Sequence, residues 1–271
     1  MKSKRKIQTV VLGVILLTTA ATANAGVPLN NVEGVGGIAF NPLAYTAGTP
    51  NGIISKPQLG LWRVRLNKAK ADWNSESVAT TLFDRLELSY GNETVSVNGL
   101  GKNIHKDNIG AKGLLVKENT GDIKWIPAIS VGTIYKQTSF DTPGVDKNGY
   151  DYYAVATKLI TETPKPVLLS GGILSTDSRA TGVFGFDKKR DTTWFGNIDV
   201  LPLKDVAVGF EYKQGADFGA YKNANYYDAH VAWFANKNLT LVAAYVNAGG
   251  QKSASKIGLG DGFVLSAQYA F

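Results

Sequence analysis

The chain has 271 residues, no cysteine, and 29 basic against 22 acidic side chains. The lack of cysteine excludes disulfide bridges, thiolate metal sites and cysteine nucleophiles. A mean hydropathy of −0.08 and the lack of a long apolar run after residue 25 exclude membrane-spanning helices, but not a β-barrel, in which only alternate residues of a strand meet lipid.

The first 25 residues have the pattern of a secretory signal peptide. A basic start, MKSKRK, precedes an apolar run over residues 10–17 and an A-x-A cleavage site at Ala23 and Ala25. This apolar run is shorter than the ~20 residues that a spanning helix needs, so cleavage is favoured over a membrane anchor. Loss of its four cations leaves 25 basic and 22 acidic side chains, a net charge of +3 that does not indicate nucleic-acid binding.

Residues 26–58 form a segment rich in glycine and proline. The pattern Gly34-x-Gly36-Gly37 resembles part of a nucleotide-binding loop, but neither a βαβ pattern nor a P-loop lysine accompanies it. We interpret the segment as irregular backbone packed inside or against a barrel, which makes it a possible plug, or as an edge strand with close backbone approaches. The predicted barrel domain then covers residues 59–271.

Short stretches of period-two alternation follow along this domain. They predict twelve strands, at 59–66, 82–90, 93–97, 109–117, 125–136, 150–160, 167–174, 193–200, 206–213, 226–235, 239–246 and 262–271. Residues 67–81 are interpreted as a polar linker, 91–92 as a turn, and 182–186 as part of a loop hairpin or short helix. The predicted connections alternate between short and long, as expected for short periplasmic turns and longer outer loops.

The last predicted strand has one apolar face and one small, partly polar face. The apolar face consists of Phe263, Leu265, Ala267, Tyr269 and Phe271. A strand of a soluble sandwich shows the same alternation, but outer-membrane barrels commonly end in such a strand with an aromatic final residue. Together with the signal peptide and the loop pattern, it predicts an all-β fold, a transmembrane antiparallel up-and-down β-barrel of about twelve strands.

The strand faces opposite the apolar ones are expected to line the lumen. The candidate residues carry both signs of charge: Arg63, Arg65, Arg85, Glu87, Lys158, Asp199, Glu211, Lys213, Asp228 and His230. Such charges either pair with one another and fill the barrel or set the selectivity of a narrow passage. Aromatic residues are expected mainly in interfacial belts, among them Trp62, Tyr90, Trp125, Tyr135, Trp194, Tyr212, Trp233 and Tyr245.

No catalytic or metal site has a recognisable signature. His230 shares a strand face with Asp228, so the two could hydrogen-bond through a water, while His105 lies in a polar stretch. No serine motif such as G-x-S-x-G accompanies either histidine, and two separated histidines without cysteine give no ligand spacing for a metal. We therefore expect no enzyme activity, cofactor or metal.

Several stretches carry a resemblance to known proteins. They include NVEGVGGIAFNPLA (31–44), DRLELSYG (84–91), DNIGAKGLLVKE (107–118), KWIPAISVGTIYK (124–136) and SGGILSTDSRATGVFGF (170–186). On these stretches the chain resembles a family of bacterial outer-membrane proteins defined only as a domain of unknown function. It also faintly resembles barrel lipoproteins of exopolysaccharide export, although it lacks the cysteine that would carry a lipid. Both resemblances imply an outer-membrane barrel, and neither supplies catalytic residues.

The main functional hypothesis is a narrow outer-membrane channel or passive transporter for a small polar solute. The expected partners are outer-membrane lipid and the barrel-assembly machinery, which the resemblance implies would read the strand ending at Phe271 as an insertion signal. One alternative is a non-transport protein for assembly or surface interaction, linked to polysaccharide export. The other is a lipid-modifying enzyme of the outer membrane.

Overall fold

The fold is a closed barrel of twelve antiparallel strands, seen in a computed structural model that describes residues 29–249 and 256–271. The predicted signal peptide lies outside the described residues. The strands are β1 Gln58–Leu66, β2 Ala71–Leu82, β3 Leu86–Val97, β4 Ile104–Val116, β5 Ala128–Thr138, β6 Asn148–Ile160, β7 Val167–Ser178, β8 Phe186–Leu203, β9 Val206–Lys213, β10 Tyr226–Phe234, β11 Leu239–Asn247 and β12 Asp261–Ala270.

Each strand pairs with the next along the chain, and β12 closes the barrel against β1. Gln58 lies opposite Ala270 in this closing pair, so the two ends of the barrel sequence meet. Two short 3-10 helices, Thr120–Asp122 and Arg179–Gly182, lie in the connections. Outside the barrel sheet, Lys222–Asn223 pairs in parallel with Lys256–Ile257. The predicted all-β barrel of about twelve strands is confirmed.

Within the described residues, no helix is long and apolar enough to cross a lipid bilayer.

The outer surface carries an apolar band with aromatic residues at both ends. Near the end with the longer loops, the rings of Trp194 and Tyr212 lie 4.5 Å apart and those of Tyr245 and Phe263 lie 5.4 Å apart. At the opposite end, Tyr269 stacks edge to face with Phe271. Leu265, between these belts, is 62% exposed. This arrangement is the one expected where the strands of a barrel cross lipid.

The strand count agrees with the sequence prediction only because two errors cancel. The predicted linker 67–81 is largely strand β2, and the predicted turn 91–92 lies inside β3, which runs unbroken. In the first half of strand β2 the expected facing is reversed: Ala71 and Trp73 point inward to the apolar side of the lumen. The outward side chains of this half, Asp72, Asn74 and Glu76, are polar. Because this half adjoins the loop end of the barrel, its outward side chains need not be apolar, and the lipid-facing pattern of a barrel strand is missing.

The predicted contrast between short and long connections is only partly correct. At one end, 83–85, 204–205 and 235–238 are short, but 117–127 at that same end is longer than 67–70 at the other. Loop length alone therefore does not distinguish the two ends of this barrel at every connection.

Residues 29–49, which we call the inner segment, lie inside the barrel. Nearly all of them are buried, and their backbone N–H groups reach lumen-facing side chains on widely separated strands. Asn30 N–H donates to Gln268 of β12 at 2.9 Å, and Ala44 N–H donates to Thr157 of β6 at 2.8 Å. These contacts lie within the barrel and not along the edge of a sheet.

Glycine allows the inner segment to come this close to the wall. A Cβ atom on Gly91 in β3 would lie 2.7 Å from the carbonyl oxygen of Glu33, and one on Gly36 would lie 2.6 Å from a carboxylate oxygen of Glu87. Carbon and oxygen cannot approach so closely without a shift of the backbone or the side chain. Gly91 is thus a contact point in the middle of a strand, where the sequence prediction placed a turn.

Candidate functional site in the barrel lumen

The lumen has an apolar side and an ionic side. On the apolar side, the wall residues Trp62, Val64, Trp73, Val242, Ala244, Val246 and Val264 belong to one cluster with Val32, Ala39 and Phe40 of the inner segment. Trp62, predicted in an interfacial belt, instead points inward and donates its indole N–H to the carbonyl of Asn30 at 2.8 Å. The inner segment therefore has a packed hydrophobic contact on this side.

On the ionic side, Glu33 of the inner segment joins two wall lysines. Its carboxylate lies 2.5 Å from the ammonium of Lys136 and 3.2 Å from that of Lys106. Lys136 also pairs with Asp151 at 2.6 Å, and Lys106 pairs with Glu93 at 3.0 Å. We call these five residues the Glu33 network; every side chain in it is at most 3% exposed.

The network holds Glu33 in its charged form. Burial by itself would raise the pKa of the Glu33 carboxyl, but the ammonium groups of Lys136 and Lys106 outweigh burial and lower that pKa well below its ordinary value. Buried charges persist only where they are paired and hydrogen-bonded. The position of Glu33 in the lumen therefore depends on the wall lysines.

A second anchor is the pair of Glu87 and Lys112, whose charged groups lie 2.8 Å apart. Glu87 accepts hydrogen bonds from the backbone N–H groups of Gly36 and Ala47 at 2.8 and 2.7 Å. Lys112 donates to the carbonyl oxygens of Gly36 and Tyr45 at 2.9 and 2.7 Å. This one ion pair thus binds both an N–H donor and a carbonyl acceptor of the same glycine.

The third anchor is Glu211 of β9, which accepts three consecutive backbone N–H groups. Ala39 donates at 2.9 Å, Phe40 at 3.1 Å and Asn41 at 3.2 Å. A carboxylate is well suited to this role because it offers about four lone-pair sites and no donor. Residues 39–41 of the inner segment are thereby fixed to the barrel wall without any β-strand pairing.

His230 of β10 lies beside this third anchor, between two carboxylates. Its Nδ1 atom lies 2.7 Å from an Asp228 oxygen, and its Nε2 atom lies 2.7 Å from an Asp199 oxygen. Within the described chain, one ligand atom each of Glu211, Asp228 and His230 lie within 4.8 Å of one another. The sequence allowed Asp228 and His230 to meet through a water, whereas the side chains bond directly.

Six of the ten sequence candidates for the lumen point inward and are buried: Glu87, Asp199, Glu211, Lys213, Asp228 and His230. Arg63 and Arg65 do not, since their side chains are 53% and 76% exposed on the outer surface beside Asp72. Their assignment was wrong because the apolar face of β1, with Val64 and Leu66, packs on the lumen side.

The other two candidates also lie outside the lumen. Arg85 is in the 83–85 turn and donates to the carbonyl oxygen of Leu114 at 3.0 Å. Lys158 occupies the outward register of β6 near its turn end and pairs with Glu118 at 3.0 Å. Both residues hold turns in place, and neither side chain faces the lumen.

Most of the ionic side of the lumen was not predicted from the sequence. Glu33 was in a segment without a predicted register, and residues 93–108 were divided between a short strand and a loop. The alternation in β4, β5 and β6 does predict three of the lumen residues, Lys112, Lys136 and Asp151. They lie on the face opposite the outward-pointing Ile109, Tyr135 and Tyr150. Following that alternation through each whole strand would have identified them.

Comparison with known proteins assigns the chain to a family. The family described as "Protein of unknown function (DUF3034)" matches residues 25–267, and the chain belongs to it. No curated protein matches.

Among solved structures, the KdgM porin is 16% identical with a TM-score of 0.53, over 79% of this chain and 99% of that one. The KdgM porin in complex with disordered oligogalacturonate is 14% identical, with the same coverage and TM-score. Outer membrane protein Omp33 of Acinetobacter baumannii is 10% identical with a TM-score of 0.49, over 82% of this chain and 100% of that one. At these identities, the KdgM likeness shows a shared barrel fold.

Proposed function

We propose that this DUF3034 protein is an outer-membrane channel for a small polar solute, closed by the inner segment and opened when that segment leaves the lumen. In this proposal the signal peptide is cleaved after Ala25, and the strand ending at Phe271 directs insertion by the barrel-assembly machinery. The apolar outer band and the fold shared with the KdgM porin support the membrane location.

The observation that carries the proposal is that the inner segment is a self-contained unit. Its backbone bonds run within itself, for example from Val32 N–H to the Ala39 carbonyl at 2.9 Å and from Leu43 N–H to the Gly36 carbonyl at 3.1 Å. Among the described residues, no backbone-to-backbone hydrogen bond joins residues 29–48 to a barrel strand. The segment can therefore leave while every ladder of the barrel stays intact.

The wall that such a departure would expose is suited to a polar solute. The ionic side presents Glu87, Glu93, Lys106, Lys112 and Lys136, which carry both signs of charge. Charged side chains that line a pore set its selectivity. When the segment is in place, Glu87 and Lys112 satisfy its backbone groups. Lys106 and Lys136 pair with the side chain of Glu33, so closure and solute passage use the same residues.

Planar-bilayer recording of the refolded mature protein tests this function. We expect a closed baseline interrupted by stepwise openings of one small conductance, because the inner segment fills the lumen most of the time. A barrel that inserts but stays silent at every voltage and salt concentration would overturn the channel.

The filled lumen also favours a second candidate function, a non-conducting barrel for assembly or surface interaction. Its binding surface would be the loops at the end that holds the 214–225 and 248–260 connections. A silent barrel that co-purifies with a periplasmic or polysaccharide-synthesis partner would support this candidate.

A further inference from the structure

A cavity of about 70 Å³ lies at the seam between the inner segment and the apolar side of the lumen. Its walls include Val32 and Phe40 of the inner segment and Trp62, Trp73 and Tyr226 of the barrel. The lining is almost wholly apolar and rich in aromatic rings. We call this space the seam cavity.

One charged residue, Asp228, also lines the seam cavity. It is 1% exposed; its Oδ1 atom bonds His230, and its Oδ2 atom has no hydrogen-bond partner in the described chain. An ionised oxygen left without a partner in an apolar site is costly, so most such groups in proteins are paired. No N–H or hydroxyl group in the described part of the chain donates a hydrogen bond to this oxygen.

The surroundings of Asp228 also lack positive charge. Three buried carboxylates, those of Asp199, Glu211 and Asp228, adjoin one imidazole ring, that of His230. Both nitrogens of this ring face carboxylate oxygens, and Glu211 faces backbone N–H groups. The ring supplies at most one positive charge to the two carboxylates that it bonds, Asp199 and Asp228, so a further cation is favoured at this place.

A metal ion fits this site poorly. Oxygen-binding cations such as Ca²⁺ take six to eight ligands, while both nitrogens of His230 and both oxygens of Glu211 already have partners. Only the free oxygen of Asp228 is available. An ammonium group can pair with this one carboxylate oxygen, and the aromatic faces of the cavity attract its remaining positive charge.

We propose that the seam cavity binds a small organic ammonium ion. The ammonium donates to Oδ2 of Asp228, and its short apolar body lies against Phe40 and Trp62. Because Phe40 belongs to the inner segment, such a ligand would contact the segment and the wall together. The inference concerns binding alone and does not require the barrel to conduct.

Binding of n-butylamine and n-butanol to the refolded mature protein at pH 7 tests the proposal, by calorimetry and by tryptophan fluorescence. The two molecules have the same length, but only the amine is a cation. We expect butylamine to bind with a Kd at least about tenfold lower than that of butanol. Asp228→Asn should remove this preference, because its amide offers the amine no charge.

Two variants serve as controls. Glu76→Gln removes a carboxylate on the outer surface and should leave the preference for butylamine unchanged. Val264→Phe should block the cavity, which Val264 lines, without changing any charge, and should abolish binding of both molecules. This variant also keeps the test decisive if Asp228→Asn does not fold.

Three results would overturn the inference. They are equal binding of butylamine and butanol, an unchanged preference in Asp228→Asn, and saturable binding of Ca²⁺ at this site in place of the amine. None of these results bears on conductance, so the channel proposal stands or falls separately.

Discussion

Deleting residues 29–49 should convert the protein into a permanently open pore. The closed state fills the lumen with this segment, and a minor open state of such a two-state protein is typically ~0.1–10% populated. Removing the segment should therefore raise the time-averaged conductance in planar bilayers at least about tenfold. Residues 50–57 are kept because Ile53 accepts a hydrogen bond from Phe83 in the turn between β2 and β3, and Ser55 donates one to Thr81 at the end of β2.

The control for this deletion is the state of the barrel itself. Heat-modifiable gel mobility and the β-sheet circular dichroism of the deletion variant should match those of the full mature chain, since no ladder hydrogen bond is removed. A deletion variant that folds and inserts but remains silent would contradict the assignment of the inner segment as the closing element.

Replacing Lys136 with methionine should cause the largest loss of stability of any single substitution in the Glu33 network. Its ammonium lies between Glu33 and Asp151, which are nearly inaccessible to solvent. Methionine keeps much of the volume but leaves both carboxylates without this partner, and breaking a buried pair costs about 3–5 kcal/mol. The free energy of unfolding in denaturant, measured in detergent micelles, should fall by that amount.

Lys147→Met is the matched control for this prediction. Lys147 also pairs with an aspartate, Asp141, but the two side chains are 51% and 65% exposed. Exposed ion pairs contribute about 0–1 kcal/mol, so this variant should unfold almost like the wild type. Equal losses in Lys136→Met and Lys147→Met would show that the lumen lysine is solvated and that the network does not hold the segment.

The fold could be predicted because a barrel in lipid requires apolar side chains at alternate positions of each strand, where the strand faces lipid. The alternation in β9 and β12 correctly predicted which of their side chains point outward and which point into the lumen. The C-terminal strand indicated the class of fold. Strand β2 was not predicted because its outward side chains near the loop end are polar, while the large apolar side chain there, Trp73, faces the lumen. Strand β1 was predicted, but its lumen-facing and outward-facing sides were exchanged. Trp62 and Val64 pack against the inner segment, whose own position could not be predicted from periodicity.

The site was harder to predict because it depends on a segment without regular structure. The glycines of the inner segment fit against Gly91 and Glu87 of the wall, and such contacts between distant residues leave no periodic trace in the sequence. Glu211 could be assigned to the lumen from alternation, but its role of binding three backbone N–H groups follows only from the path of residues 39–41.

A reversible disulfide tests the central claim, that the inner segment must leave the lumen for the channel to open. A Cβ atom on Gly60 of β1 would lie 3.2 Å from the Cβ of Asn30, close to the about 3.5–4.5 Å of disulfides. Since the chain has no other cysteine, Asn30→Cys combined with Gly60→Cys ties the segment to the wall by one defined bond. We predict that the oxidised variant is silent in planar bilayers and that reductant restores openings of wild-type size. Openings of wild-type size and frequency in the fully oxidised variant would contradict the account.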